Sequence, residues 1–206
     1  MVLKMNREGN YGKQIIAAQE IFLRWDQAHM IERFSLEHSD ETMFILFYDS
    51  KYSIDRKTAQ VCRCEDQSPA GFNEVLSIYD MLCYAKEDAC LAGEWRTLST
   101  LDPHSNFGSA ASSPYSNVER HFLGKVSQLR AACSALGGTA YSKADVGYRF
   151  NAFPWLPTVF QFWDGDEEFM PRLNFLFDAN TLSYIHFETA WYVAGHLLDL
   201  IDARLD

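Results

Sequence analysis

The chain has 206 residues, 48% of them apolar and 22% charged, which suits one domain of ordinary size and excludes a disordered polymer. The formal charge is −10, from 28 acids against 18 bases. That balance argues against a general nucleic-acid or anionic-membrane binder, because neutralising phosphate requires clustered Lys and Arg.

Residues 10–33 read as a helix: Ile15, Ala18, Phe22, Trp25 and His29 recur at three- and four-residue steps. Residues 43–48 and 51–55 read as a hairpin around a polar turn at Asp49-Ser50, with a third strand at 59–63. Ser68-Pro69 is a helix opening, Ser as N-cap and Pro at the first helical position. Phe72, Val75, Leu76, Tyr79, Leu82 and Cys83 then trace a helical stripe towards Ala89. Residues 99–116 are rich in Ser, Gly, Asn and Pro, an unusually long connection and so a candidate mobile or functional loop. Ser116-Asn-Val-Glu119 has the pattern of a capping box for a helix that stops at Gly137-Gly138. Strands follow at 146–153, 158–163 and 173–177, and a last helix at 187–205. Helices and strands come in blocks, without regular alternation. The expected fold is α+β, a single domain over residues 1–206 with an antiparallel or mixed sheet against three or four helices.

Residues 1–13 contain no apolar stretch of signal-peptide length, and no run approaches the roughly 18 residues of a membrane span. The expectation is a cytoplasmic protein. Five cysteines, an odd number, then imply thiols. Cys62 and Cys64 would share one face of a strand, as a thiol pair or half a metal site, although small half-buried hydrophobes are the commoner role.

Two stretches carry a resemblance. The first is Tyr79-Asp-Met-Leu-Cys-Tyr-Ala-Lys86 followed by Leu91-Ala-Gly-Glu-Trp-Arg-Thr-Leu98. The second is Phe153-Pro-Trp-Leu-Pro157, then Phe162-Trp-Asp-Gly-Asp-Glu-Glu-Phe169, then Asn174-Phe-Leu-Phe-Asp178 and Tyr184. In order and spacing they resemble the uncharacterised prokaryotic domain of unknown function family 3786, found largely in anaerobic bacteria and archaea. His186-Phe187 departs from the polar pair that usually opens the last helix there. The resemblance implies no established activity. Some relatives are joined to an iron–sulfur domain like that of corrinoid proteins, which implies a link to anaerobic corrinoid or one-carbon metabolism. That cysteine-rich part does not occur in this sequence.

Residues 151–206 hold nine acids, two bases and 12 of the 30 aromatics. Within them Asp164-Gly-Asp166-Glu-Glu168 concentrates acids in one turn, which suits oxygen ligation of Ca²⁺ or Mg²⁺, yet the EF-hand spacing is absent and a solvated hairpin tip accounts for it more simply. Glu94-Trp95-Arg96 is the second candidate, a ring with a charge on each side, fit for a cleft wall or for plain packing. The six histidines show no four-residue pairing, and there is no nucleophile elbow, phosphate loop or dinucleotide fingerprint. His104 is an isolated loop histidine.

Two functions follow from different classes. One is an accessory or binding protein whose cleft, for a small molecule or protein partner, is bordered by Trp95, Trp163 and the 99–116 loop. The other is a carboxylate-based, divalent-metal-dependent enzyme drawing on Glu94, Asp164, Asp166, Glu168 and Asp178. The Trp191-Tyr192 pair covers more than one face of the last helix and suggests a surface shared in a homodimer.

Overall fold

The computed structural model describes residues 8–102, 115–141 and 143–205. Helices α1 (Glu8–Phe22) and α2 (Gln27–Phe34) lead into strands β1 (Thr42–Phe47), β2 (Ser50–Asp55) and β3 (Val61–Arg63). Helix α3 (Phe72–Tyr84), strand β4 (Trp95–Thr97) and helices α4 (Leu98–Leu101), α5 (Ser116–Phe122) and α6 (Val126–Ala135) follow. Strands β5 (Thr139–Ala140), β6 (Val146–Phe153), β7 (Leu156–Trp163) and β8 (Arg172–Asp178), a short 3₁₀ turn (Thr181–Ser183) and helix α7 (Phe187–Asp202) complete the order. The α+β class holds. The sheet divides in two, β1-β2-β3 and β4-β8-β7-β6-β5, both antiparallel, and among the described residues seven helices accompany them where three or four were expected.

Local chemistry explains where the elements depart from the expected bounds. The first long helix breaks because Asp26 caps a new one: its Oδ1 accepts the N–H groups of Ala28 at 3.0 Å and His29 at 3.1 Å. Phe22 and Met30 are both buried, so the apolar stripe runs on across the break. The β1–β2 turn falls one residue earlier than expected, on Tyr48 and Asp49, whose φ of 48° and 59° give the type I′ twist that hairpins favour. Ser68 does not cap α3. Its hydroxyl is engaged by Asp66 at 2.6 Å, Pro69 bridges Cys62, and α3 starts at Phe72 with Gly71 as N-cap. The same helix ends at Tyr84, short of Ala89, and the Lys86 N–H donates to the Ser183 carbonyl.

The helix expected over 116–136 also splits, at Gly124, where φ is +74°. Glu119 forms no capping box; it is buried and accepts the Leu173 N–H of β8 at 2.9 Å. Of the 99–116 connection, residues 99–101 belong to α4, while 103–114, His104 among them, lie outside the described residues.

β7 is the centre of the molecule. Every residue from Leu156 to Phe162 is buried, as required of a strand covered on both faces. Phe122 of α5 meets Phe160 and Phe162 edge-on at 6.5 and 6.0 Å, and Phe160 meets Phe175 of β8 at 5.8 Å. One apolar cluster joins both sheets to α3 and α7.

Candidate functional site

The sequence candidates lie at two ends of one strand. Trp95 pairs with Asp178 at the end of β8, and the acidic turn joins Trp163 to Arg172 at its start. Six residues at about 3.3 Å each separate them by about 20 Å. At the first end, exposed Glu94 and Arg96 pair with each other at 3.4 Å, and half-buried Trp95 lies against Tyr141 and the Arg149 guanidinium. Asp178 is buried and accepts the N–H groups of Ala92, Gly93 and Asn180 at 2.8–2.9 Å. It is a backbone clamp. At the other end Asp164 accepts the Gly124 N–H at 2.9 Å, and Asp166 accepts those of Glu168 and Phe169 at 2.8 Å, which holds the Asp166 carboxyl below its ordinary range. Trp163 is half-buried opposite Arg172, and the Glu168 carboxylate is exposed. Among the described residues no three His, Cys, Asp or Glu side chains are placed to hold a metal ion. Cys62 and Cys64 are half-buried free thiols.

The structure assembles a different site, between α1, α3 and α7. Leu76, Tyr79, Asp80, Cys83 and Tyr84 recur at helical spacing along α3, and Thr189 and Tyr192 do so along α7. With Ala18 and Ile21 of α1 and Trp25 beyond it, they enclose a mainly apolar cleft of about 300 Å³. Trp25 and Ile21, half exposed, form its lip. Phe72 supports Tyr192 edge-on at 5.3 Å, and the Tyr79 hydroxyl is tied to the Ala59 carbonyl. Burial pushes the Cys83 thiol up to about 12, so this sulfur is a packing atom rather than a nucleophile.

One polar pair stands at this cleft. His186 is the N-cap residue of α7 but makes no side-chain cap to its own helix. Asp80 engages it twice, accepting the His186 backbone N–H on Oδ2 at 2.7 Å and meeting ring Nδ1 with Oδ1 at 2.5 Å. A carboxylate only accepts, so Nδ1 carries the proton and a neutral imidazole leaves Nε2 as a lone-pair acceptor. The Tyr84 ring packs on the imidazole, centroids 3.6 Å apart, and fixes the plane of the ring. Asp80 is mostly buried, while His186 is about half exposed and open to a ligand. Asp80 and His186 are 106 residues apart, and no local pattern in the sequence links them.

A second acid of α3 faces α7 from within the core. Buried Glu74 accepts the Tyr52 hydroxyl at 2.6 Å, the Arg63 Nε and Nη2 groups at 2.9 and 2.7 Å, and the Gly71 N–H. These partners hold its carboxyl below the ordinary value despite burial, which acts in the opposite sense. His196 of α7 lies beside it, Nε2 3.8 Å from Glu74 Oε1 and without a hydrogen-bond partner. Burial lowers His196 to about 4, so the ring is neutral. Asp80–His186 therefore ties the antiparallel pair α3 and α7 where it opens into the cleft, while deeper in the core Glu74, bound to Tyr52 and Arg63, only faces the neutral His196 ring.

The molecule is thus an α+β protein with an interhelical cleft and an Asp-oriented histidine. The family described as "Domain of unknown function (DUF3786)" matches residues 26–199, and the chain belongs to it. No curated protein and no solved structure matches the chain. No helix among the described residues is long and apolar enough to cross a membrane.

Proposed function

We propose that the protein is a cytoplasmic accessory or binding protein, and that its α1–α3–α7 cleft takes a small, flat, largely apolar molecule carrying one hydroxyl or N–H donor. The observation that carries this reading is the double hold of Asp80 on His186, which turns Nε2 into a fixed acceptor beside an aromatic wall. Apolar walls supply affinity, and one positioned polar atom supplies orientation. At about 300 Å³ the cleft lies at the small end of ligand sites and suits one or two fused rings. A corrin ring exceeds that size, so the corrinoid link implied by resemblance would run through a partner protein rather than this cleft. The carboxylate-enzyme alternative draws no support from the placement of Glu94, Asp164, Asp166, Glu168 and Asp178, which serve local pairs and backbone clamps or face solvent. As for self-association, Trp191 and Tyr192 pack on Tyr115 and Phe72 of the same chain.

Thermal-shift measurement with phenol, indole, adenine and aquocobalamin tests the reading, because a ligand of the folded state raises the midpoint by mass action. The expected result is a rise with at least one of the ring donors, lost in His186→Ala. A panel without any shift, or a shift unchanged by His186→Ala, would overturn it.

A further inference from the structure

The acidic turn between β7 and β8 is hydrogen-bonded at both its base and its tip, and it displays two large apolar side chains to solvent. Asp164 anchors it at one side: its N–H donates to Asp145 Oδ2 at 2.8 Å, and its Oδ1 accepts the Gly124 and Gly165 N–H groups at 2.9 and 3.0 Å. Asp166 closes the tip, accepting the Glu168 and Phe169 N–H groups at 2.8 Å while its own N–H donates to the Phe169 carbonyl at 2.9 Å. Gly165 is wedged so tightly that a Cβ there would stand 2.8 Å from Pro171 Cδ and 2.9 Å from Leu123 Cδ1. The turn is therefore seated on the α5–α6 connection and tied there through Asp164. Phe169 nevertheless keeps 67% of its surface exposed, Met170 77% and neighbouring Leu123 48%.

Leaving a Phe or Met side chain in water forgoes the favourable free energy of its burial. A flexible loop would recover part of that by collapse; this one is pinned with the pair outward. Asp166, Glu167 and Glu168 flank the pair on one side, and among the described residues neither Glu167 nor Glu168 enters an ion pair. We propose that Phe169 and Met170 are a docking knob for a partner protein that presents an apolar socket rimmed by Lys and Arg. Charge selects this occupant. A second copy would bring another chain of net charge −10 against the same acids, and an anionic membrane would repel them. A basic rim satisfies the acids while the socket buries the pair, the usual division between an interface core and its rim.

A synthetic amphipathic peptide of Leu and Lys, titrated into the full chain labelled with ¹⁵N, is the test. The expected result is that amide shifts concentrate on residues 164–172 and around Leu123, and that binding weakens as salt rises. Phe169→Ala/Met170→Ala lowers the affinity at least about tenfold, roughly 1.4 kcal/mol, and leaves the melting midpoint unchanged because both side chains are exposed. Glu167→Gln/Glu168→Gln weakens binding and removes most of the salt dependence. The proposal is overturned if the shifts map elsewhere, if the double alanine variant binds as wild type does, or if a Leu/Glu peptide binds as well as the Leu/Lys one. It is equally overturned if light scattering shows a wild-type dimer that the double alanine variant abolishes, since a second copy would then be the occupant.

Discussion

His196 shows how one buried side chain sets a pH range. The folded ring titrates near 4, and the same ring in the unfolded chain near its ordinary value of about 6.5. Between those values the unfolded chain binds the extra proton, so stability is complete above pH 6.5 and falls as the pH drops towards 4, by about 3 kcal/mol. Glu74 adds to the loss as the pH falls below its ordinary carboxylate value, because its folded value is depressed; Asp199, raised by burial and by Asp202, acts above its ordinary value, where it recovers stability as the pH falls. Urea unfolding at a series of pH values checks this: the wild type should lose stability steadily from 6.5 to 4, and His196→Gln should lose most of that slope. An equal slope in both would show that His196 is not the titrating group. At this scale little was legible in advance. Glu74 belongs to no sequence motif and His196 is one of six scattered histidines, because a buried network appears only once β2, β3, α3 and α7 meet.

Among the elements, helix starts depend on single side chains that act across different distances. Asp26 caps its own helix locally, whereas Asp80 reaches α7 from another helix. Asp26→Ala should cost about 1 kcal/mol. Asp80→Ala removes two hydrogen bonds from a mostly buried carboxylate and should cost about 2 kcal/mol, with an unchanged denaturant slope in both variants. Equal losses, or none, would argue against Asp80 as the anchor of α7. The contrast also explains what sequence reading reached. Val146–Phe153 stands as expected because its alternation is local, and the β1–β2 hairpin was displaced by a single residue. The capping reading of Ser116 and Glu119 failed because Glu119 satisfies the backbone of β8, a partner no local pattern reveals. Likewise the stripe Leu76, Tyr79, Cys83 reads as core from its spacing, and only the third helix shows that part of it lines a cleft.

For the whole molecule, the charge of −10 is shaped by where the acids are spent. Asp164, Asp166 and Asp178 hold backbone N–H groups, and Glu94 faces Arg96. Millimolar Mg²⁺ or Ca²⁺ should therefore leave the melting midpoint unchanged, and a rise of several degrees would reveal a cation site that this arrangement does not account for. The acidic–aromatic last quarter, visible from composition alone, separates into two faces in the fold: an exposed knob at Phe169-Met170, and the α7 wall of the cleft.

At the cleft, Asp80 fixes His186 so that Nε2 faces a ligand's hydrogen-bond donor. Long-range ¹H–¹⁵N spectroscopy of the imidazole rings tests it most directly. The expected result is a proton on His186 Nδ1, an Nε2 resonance that moves when a phenol or indole probe is added, and a loss of that preference in Asp80→Ala. A proton found on Nε2, or an Nε2 resonance indifferent to every ring donor, would contradict it.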